Sequence, residues 1–256
     1  MAEIVIVDSP EAGGEIAAGI IAELVSTSPT AVLGLATGST PLTTWAALGR
    51  RSLDLSRVRG FALDEYVGLP PGHPESYRSV ITREVVAPLG LDPALVRVPG
   101  DDGGPARTAG ERYERDIVAA CGVDLQVLGI GRTGHIGFNE PGSSLASLTR
   151  VKTLTEQTRA DNARFFPTPA DVPTHCITQG LGTILRARHL VLLAFGSAKA
   201  EALAAAVEGP VTASTPGSVV QLHPRVTVIV DEAAGARLQH GDYYRYAWDN
   251  RLDWER

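Results

Sequence analysis

Cysteine is almost missing. The 256 residues hold only Cys121 and Cys176, far apart in the chain. No Cys-x-x-Cys knuckle and no His-Glu-x-x-His helix occurs, so neither a disulfide framework nor a bound metal is expected. Both thiols read as small buried apolar groups. No apolar run reaches the ~18 residues that cross a bilayer. Met1-Ala2-Glu3-Ile4 has neither the basic nor the apolar region of a secretory signal, so a cytoplasmic protein without a membrane partner is expected. Positive charge is in deficit as well. A net charge of −6 argues against a nucleic-acid partner, while leaving room for a local basic pocket. Of the 23 lysines and arginines, only Lys152 and Lys199 are lysines. A compact ammonium differs from a planar guanidinium, so each lysine either has a specific role or is a survivor of codon bias.

Domain linkers, low-complexity tracts and internal repeats are also absent. A composition of 44% hydrophobic and 20% charged residues suits one globular domain over residues 1–256. Short apolar runs alternate with amphipathic stretches. Strands are predicted at Glu3–Val7, Ala31–Leu35, Gly60–Leu63, Val123–Leu128, His189–Ala194 and Val226–Val230. Helices are predicted at Glu11–Val25, Pro41–Leu48, Ser76–Val86, Pro105–Ala120 and Ala198–Val207. The alternation predicts an α/β fold, a three-layer α/β/α domain with a mostly parallel, Rossmann-like sheet. Sites in such sheets form at the carboxyl ends of strands, which directs attention to three polar loops.

The first loop runs Ala36-Thr37-Gly38-Ser39-Thr40-Pro41 from a buried strand into a helix. Gly38 permits close backbone approach, and the helix start attracts an anion. Plain capping by Ser39 or Thr40, with Pro41 in the first turn, explains the same residues. Lys199 follows another strand end, at the edge where a phosphate would need a cation. In the second, Leu63-Asp64-Glu65-Tyr66, Asp64 ends an apolar strand. It could be a base of raised pKa or a turn cap. The third contains Gly129-Ile130-Gly131-Arg132-Thr133-Gly134 after a strand. This is the letter of a dinucleotide fingerprint, but Gly137 and Pro141 leave no room for the helix it must open. The polar set His135, Asn139 and Glu140 reads instead as a catalytic loop in which a carboxylate steadies an imidazole.

These blocks resemble the glucosamine-6-phosphate deaminase family. The resemblance is carried by Leu63–Leu69, His73–Tyr77, Gly134–Pro141, Ser143–Ser147, Ala163–Phe166, Gly196–Lys199 and Leu222–Pro224, in the family's order, from about Ala31 to Val230. It implies a hydrolase-class deaminase and aldose–ketose isomerase of amino-sugar catabolism. Glucosamine 6-phosphate and water would become fructose 6-phosphate and ammonia, without a cofactor. Asp64 matches the family's enolisation base. His135 matches the ring-opening base, and Glu140 its partner. The phosphate would rest on Gly38, Ser39, Thr40, Arg164 and Lys199, with residues 154–176 as a mobile lid. Many members carry a third acid where this chain has Thr133, which cannot ionise. His135→Ala is then expected to abolish ring opening, and Thr133→Asp to be tolerated.

The resemblance also implies a homo-oligomer. Some members are hexamers activated by N-acetylglucosamine 6-phosphate, and Ser143, Arg150 and Lys152 match part of that site. Tyr244, in the weakly matching stretch 241–256, is a candidate counterpart of an allosteric tyrosine; other members lack activation. Three further readings stay open: a galactosamine-6-phosphate deaminase differing at one hydroxyl, a 6-phosphogluconolactonase, and a sugar-phosphate-binding regulator that lost catalysis with its third acid.

Overall fold

Stretches such as His189–Ala194 and Val226–Asp231 are buried along their whole length, as strands covered on both faces must be. The computed structural model describes residues 2–252. Its strands are β1 (Ala2–Val7), β2 (Val32–Leu35), β3 (Arg59–Ala62), β4 (Asp64–Tyr66), β5 (Val96–Arg97), β6 (Leu125–Gly129), β7 (Arg150–Thr153), β8 (His175–Thr178), β9 (His189–Ala194) and β10 (Val226–Asp231). Seven form one sheet in the order β1-β10-β9-β6-β2-β3-β5. All its pairings are parallel, and helices flank it as the α/β reading expects. No helix among the described residues is long and apolar enough to cross a membrane.

From β2 the chain steps outward to β3 and β5. From β6 it steps the other way, to β9 and β10. The two directions part between β2 and β6, and ligands of open α/β sheets bind over the carboxyl ends at such a point. The loop after β2 and the loop after β6 flank that crevice.

A second, antiparallel sheet, β4-β8-β7, was not expected from the sequence. Its strands have only three or four residues. β7, Arg150-Val151-Lys152-Thr153, is polar and half exposed, so no apolar run marks it. The sheet frames residues 154–174, which carry the helix Glu156–Asn162 and helical turns at Ala163–Phe165 and Pro169–Asp171.

The helix Pro10–Thr27 starts where Ser9 accepts a hydrogen bond from the Ala12 amide (3.1 Å), with Pro10 in the first turn. Its Gly14 lies against the helix Leu42–Gly49, and a methyl group there would sit 2.6 Å from the Thr43 carbonyl carbon. Glycine inside a helix ordinarily costs about 1 kcal/mol relative to alanine, so the close approach explains its presence. Gly14→Ala is expected to lower stability by up to about 2 kcal/mol, because overpacking of about 1–3 kcal/mol is offset only by the propensity gain of about 1 kcal/mol. A thermal melt should show the midpoint falling by a few degrees. An unchanged or raised midpoint would show that the two helices can slide apart without loss.

Two local expectations need correction. Pro41 is the cap of the helix Leu42–Gly49, not a residue of its first turn; its carbonyl accepts from the Trp45 amide, and no side chain caps this helix. Cys121 is exposed, whereas Cys176 is buried. Cys121 adopts φ +65° in the reversal after the helix Ala106–Ala119, which puts its thiol on the surface.

Candidate active site

A cavity of about 560 Å³ opens over the crevice. It gathers Gly38, Ser39 and Thr40 after β2, Asp64 at the start of β4, His135 after β6, Arg164 of the framed segment and Lys199 after β9. Residues widely separated in the chain thus meet where the strand connections diverge.

Asp64 is 6% exposed. It follows Leu63, whose amide continues the β3 pairing by donating to the Leu35 carbonyl (3.1 Å). Asp64 then opens the second sheet opposite Thr178. No donor among the described residues reaches its carboxylate. Burial, reinforced by the neighbouring Glu65 charge, pushes it up to about 8. Glu65 plays a different part and accepts from the backbone amides of Tyr66, Tyr77 and Arg78 at 2.7–2.9 Å. It anchors the helix Tyr77–Ile81, whose N-cap is Ser76. Adjacent acids in the sequence are therefore separated into an unpartnered one facing the cavity and a structural one.

His135 reaches the cavity because its loop is tight. The ring lies over Gly131, where a methyl group would come within 2.1 Å of it. The glycine spacing of this loop makes room for an imidazole, and the loop opens no helix. His135 Nδ1 is 2.8 Å from Thr133 Oγ1 and 3.4 Å from Glu140 Oε2. Glu140 is 3% exposed. Its other oxygen accepts from Thr155 Oγ1 (3.1 Å) and from Thr158 Oγ1. Burial alone would raise the Glu140 pKa. The bonds from His135, Thr158 and Thr155, with the His135 charge, outweigh burial and hold it down to about 2. Asn139 is a staple: its amide donates to the Ile136 and Gln179 carbonyls and its oxygen accepts from Arg150 (2.8 Å).

The far end of the cavity is cationic. Burial lowers the Lys199 pKa; Asp161 opposes that shift, and the charges of Arg164 and Arg132 add to it. Like charges held together beside the unpaired amides of a helix start are suited to a dianion. Ser39 and Thr40 do not cap the helix Leu42–Gly49, which removes the capping explanation for them. Sequence reasoning missed Arg132, which lines the cavity and lies 3.9 Å from Asp161. Its place between Gly131 and Thr133 was the available signal. Thr155 and Thr158 were missed too, although Thr155 is the N-cap of its helix.

The remaining candidates lie elsewhere. Arg150 and Lys152 share the inward face of β7, and Arg150 is already bonded to Asn139. The Ser143 hydroxyl is buried and finds no partner among the described residues. Tyr244, on the helix Gly241–Asp249, donates to Glu208 (3.0 Å). The end of its stretch, 253–256, lies outside the described residues.

The family described as glucosamine-6-phosphate isomerases/6-phosphogluconolactonase matches residues 10–229. A Bifidobacterium longum (strain NCC 2705) protein named glucosamine-6-phosphate deaminase is 58% identical, covering 100% of this chain and 99% of its own. A Streptomyces avermitilis protein of the same name is 56% identical, covering 99% of both. A solved monomeric glucosamine-6-phosphate deaminase superimposes with a TM-score of 0.89 at 38% identity, over 93% of this chain and 100% of that one. The 6-phosphogluconolactonase of Trypanosoma brucei shares the fold at TM-score 0.76 but is only 19% identical, over 93% of this chain and 99% of its own.

Proposed function

Because the chain belongs to the family of glucosamine-6-phosphate isomerases and 6-phosphogluconolactonases, we infer that its site performs the deaminase reaction of its full-length relatives. Glucosamine 6-phosphate and water become fructose 6-phosphate and ammonia. The observation that carries the roles is the cavity itself: an unpartnered, proton-hungry carboxylate faces an imidazole–carboxylate pair, with an anion seat at one end.

The steps follow from that arrangement. The phosphate sits on the Gly38–Thr40 turn among Lys199, Arg164 and Arg132. His135 removes the proton of the anomeric hydroxyl and supplies one to the ring oxygen as the C1–O5 bond breaks. Glu140 steadies the positive charge that passes through the imidazole. In the open chain C2 lies beside the C1 carbonyl and is acidic. Asp64 takes the C2 proton and returns it to C1, while the ammonium gives up a proton and the carbonyl oxygen gains one, so that C1 becomes a hydroxymethyl group and the amine an iminium at C2. Water adds to that carbon and ammonia leaves. Anchoring the remote phosphate restricts the open chain, so its binding energy serves the chemical steps. The segment 154–174 acts as a lid, shorter than the expected 154–176 because His175 and Cys176 are paired in β8. It brings Arg164 to the phosphate and, through Thr155 and Thr158, touches Glu140.

Purified protein should release ammonia and fructose 6-phosphate from glucosamine 6-phosphate. Galactosamine 6-phosphate and a 6-phosphogluconolactone, assayed in parallel, test the epimer and lactonase readings. Binding without turnover of any of them would favour the regulator reading. Arg132→Ala is expected to raise KM about three- to tenfold with kcat little changed, the modest size reflecting its exposure. An unchanged KM would remove Arg132 from the phosphate seat. The activator reading rests on two cations on one face of β7 and the Ser143 hydroxyl, without a partner among the described residues. In a homo-oligomer an anion there would draw on Arg150 and hence on Asn139 of the catalytic loop. Rate curves with and without N-acetylglucosamine 6-phosphate test it, and a hyperbola that the activator leaves unchanged removes it.

A further inference from the structure

The third position of the ring-opening group is filled by a residue that cannot ionise, yet the structure connects it at both ends. Thr133 Oγ1 lies 2.8 Å from His135 Nδ1 and 3.3 Å from Glu140 Oε2. The direct His135–Glu140 separation, 3.4 Å, is longer than a good charge-assisted hydrogen bond. A hydroxyl can accept one hydrogen bond and donate another. We propose that Thr133 is a positioning residue whose hydroxyl relays His135 to Glu140: Nδ1–H donates to Thr133 Oγ1, and Thr133 O–H donates to Glu140 Oε2.

The relay has a definite direction. Glu140 is held ionised at about 2, so at neutral pH it only accepts. Thr133 must therefore donate to Glu140, which leaves its oxygen as the acceptor toward the ring. Nδ1 then carries the proton of the neutral imidazole, and Nε2 keeps the free lone pair that a base needs. The other oxygen of Glu140 is filled by Thr155 and Thr158, so three threonine hydroxyls surround this carboxylate. In place of a second anion, this chain uses a neutral group to hold the tautomer.

The charge count follows. Glu140 pairs with the ring, and Arg132, Asp161, Arg164, Lys199 and Asp64 line the same cavity. Among the described residues Glu140 is the carboxylate paired with the ring. A carboxylate placed at 133 would add a second, and opposite charge favours the protonated imidazole.

The inference rests on the proposed ring-opening role of His135, and its test has an arm independent of turnover. Nitrogen-15 spectra of imidazole-labelled protein should show the Nδ1–H tautomer in the parent and in Thr133→Ser. Thr133→Val should show a mixture of tautomers. In kinetics, Thr133→Val should lose about 10- to 100-fold in kcat at nearly unchanged KM, and Thr133→Ser should keep most of it. Thr133→Asp should stay active and keep the Nδ1–H tautomer, because a carboxylate at 133 can accept the same hydrogen bond from the ring. A parent found in the Nε2–H form, or a valine variant with the parent's tautomer and rate, overturns the relay. If no substrate is turned over, the functional reading fails while the spectra still decide the relay.

Discussion

Asp64→Asn is expected to fold and to bind the sugar phosphate, yet to release ammonia at least about 10³-fold more slowly, because the amide cannot accept the C2 proton. The side chain is nearly isosteric, and the parent carboxylate has no hydrogen-bond donor among the described residues to lose. Its KM should therefore change little. The same setting that makes Asp64 a strong base makes it a late one. With its carboxyl pushed up to about 8 by burial and the Glu65 charge, kcat/KM of the parent should climb with pH until about 8. The substrate's ammonium, seated beside it, favours the ionised form. The corresponding limb in kcat should thus lie at lower pH than in kcat/KM. An asparagine variant with the parent's rate would remove Asp64 from the mechanism.

Stability supplies a second, independent reading of the same residue. A carboxyl whose folded pKa lies above its unfolded value binds its proton more tightly in the native state. Its contribution is fully present below the unfolded value near 4 and is lost as pH rises to about 8. The parent should lose up to about 1.4 kcal/mol per pH unit through that window from this one group. Asp64→Asn should not, so the variant gains on the parent between about pH 4 and 8 and keeps the gain above. Denaturant titrations across this range check it, and parallel curves for the two proteins would show that Asp64 is not strained by burial. A variant that is both more stable and nearly inactive is the expected signature of a base placed for chemistry rather than for folding.

The parallel sheet was legible because its strands are buried on both faces and leave continuous apolar runs, of which His189–Ala194 matches its strand residue for residue. The small sheet was not. Arg150-Val151-Lys152-Thr153 alternates without a hydrophobic signal, and its pairing with His175–Thr178 is a tertiary event. Around the cavity, Asp64, His135, Glu140 and Lys199 could be named from local pattern and resemblance together. What local pattern could not provide was the division of labour between Asp64 and Glu65. That division depends on the Tyr77 and Arg78 amides, brought back onto Glu65 by the turn at 67–76. Arg132 was hidden in the same way. Its relation to Lys199, Arg164 and Asp161 exists only once the loops after β6 and β9 and the framed segment have come together. Thr133 read as a missing acid because a sequence shows the absent charge but not the two hydrogen bonds that replace it.

His135→Ala is expected to reduce ammonia release by about 10²- to 10⁴-fold at saturating glucosamine 6-phosphate, the contribution of a positioned acid–base group. What remains is turnover of sugar that opens unaided, since Asp64 and the phosphate seat are untouched. The variant should therefore still bind substrate, unlike one damaged at Lys199. The geometry offers a check that a merely structural histidine would fail. The ring lies against Gly131, which has no side chain to fill the space it leaves, and that space opens onto a cavity of about 560 Å³. Added imidazole should enter it, meet Thr133 and Glu140 at the position of the lost Nδ1, and restore rate in a saturable way. The restored rate should fall as pH drops and imidazole protonates. Asp64→Asn should not respond to imidazole at any concentration, because the defect there lies after the ring has opened. Rescue of both variants, or of neither with substrate still bound, would mean that the two residues are not divided between ring opening and C2-to-C1 proton transfer.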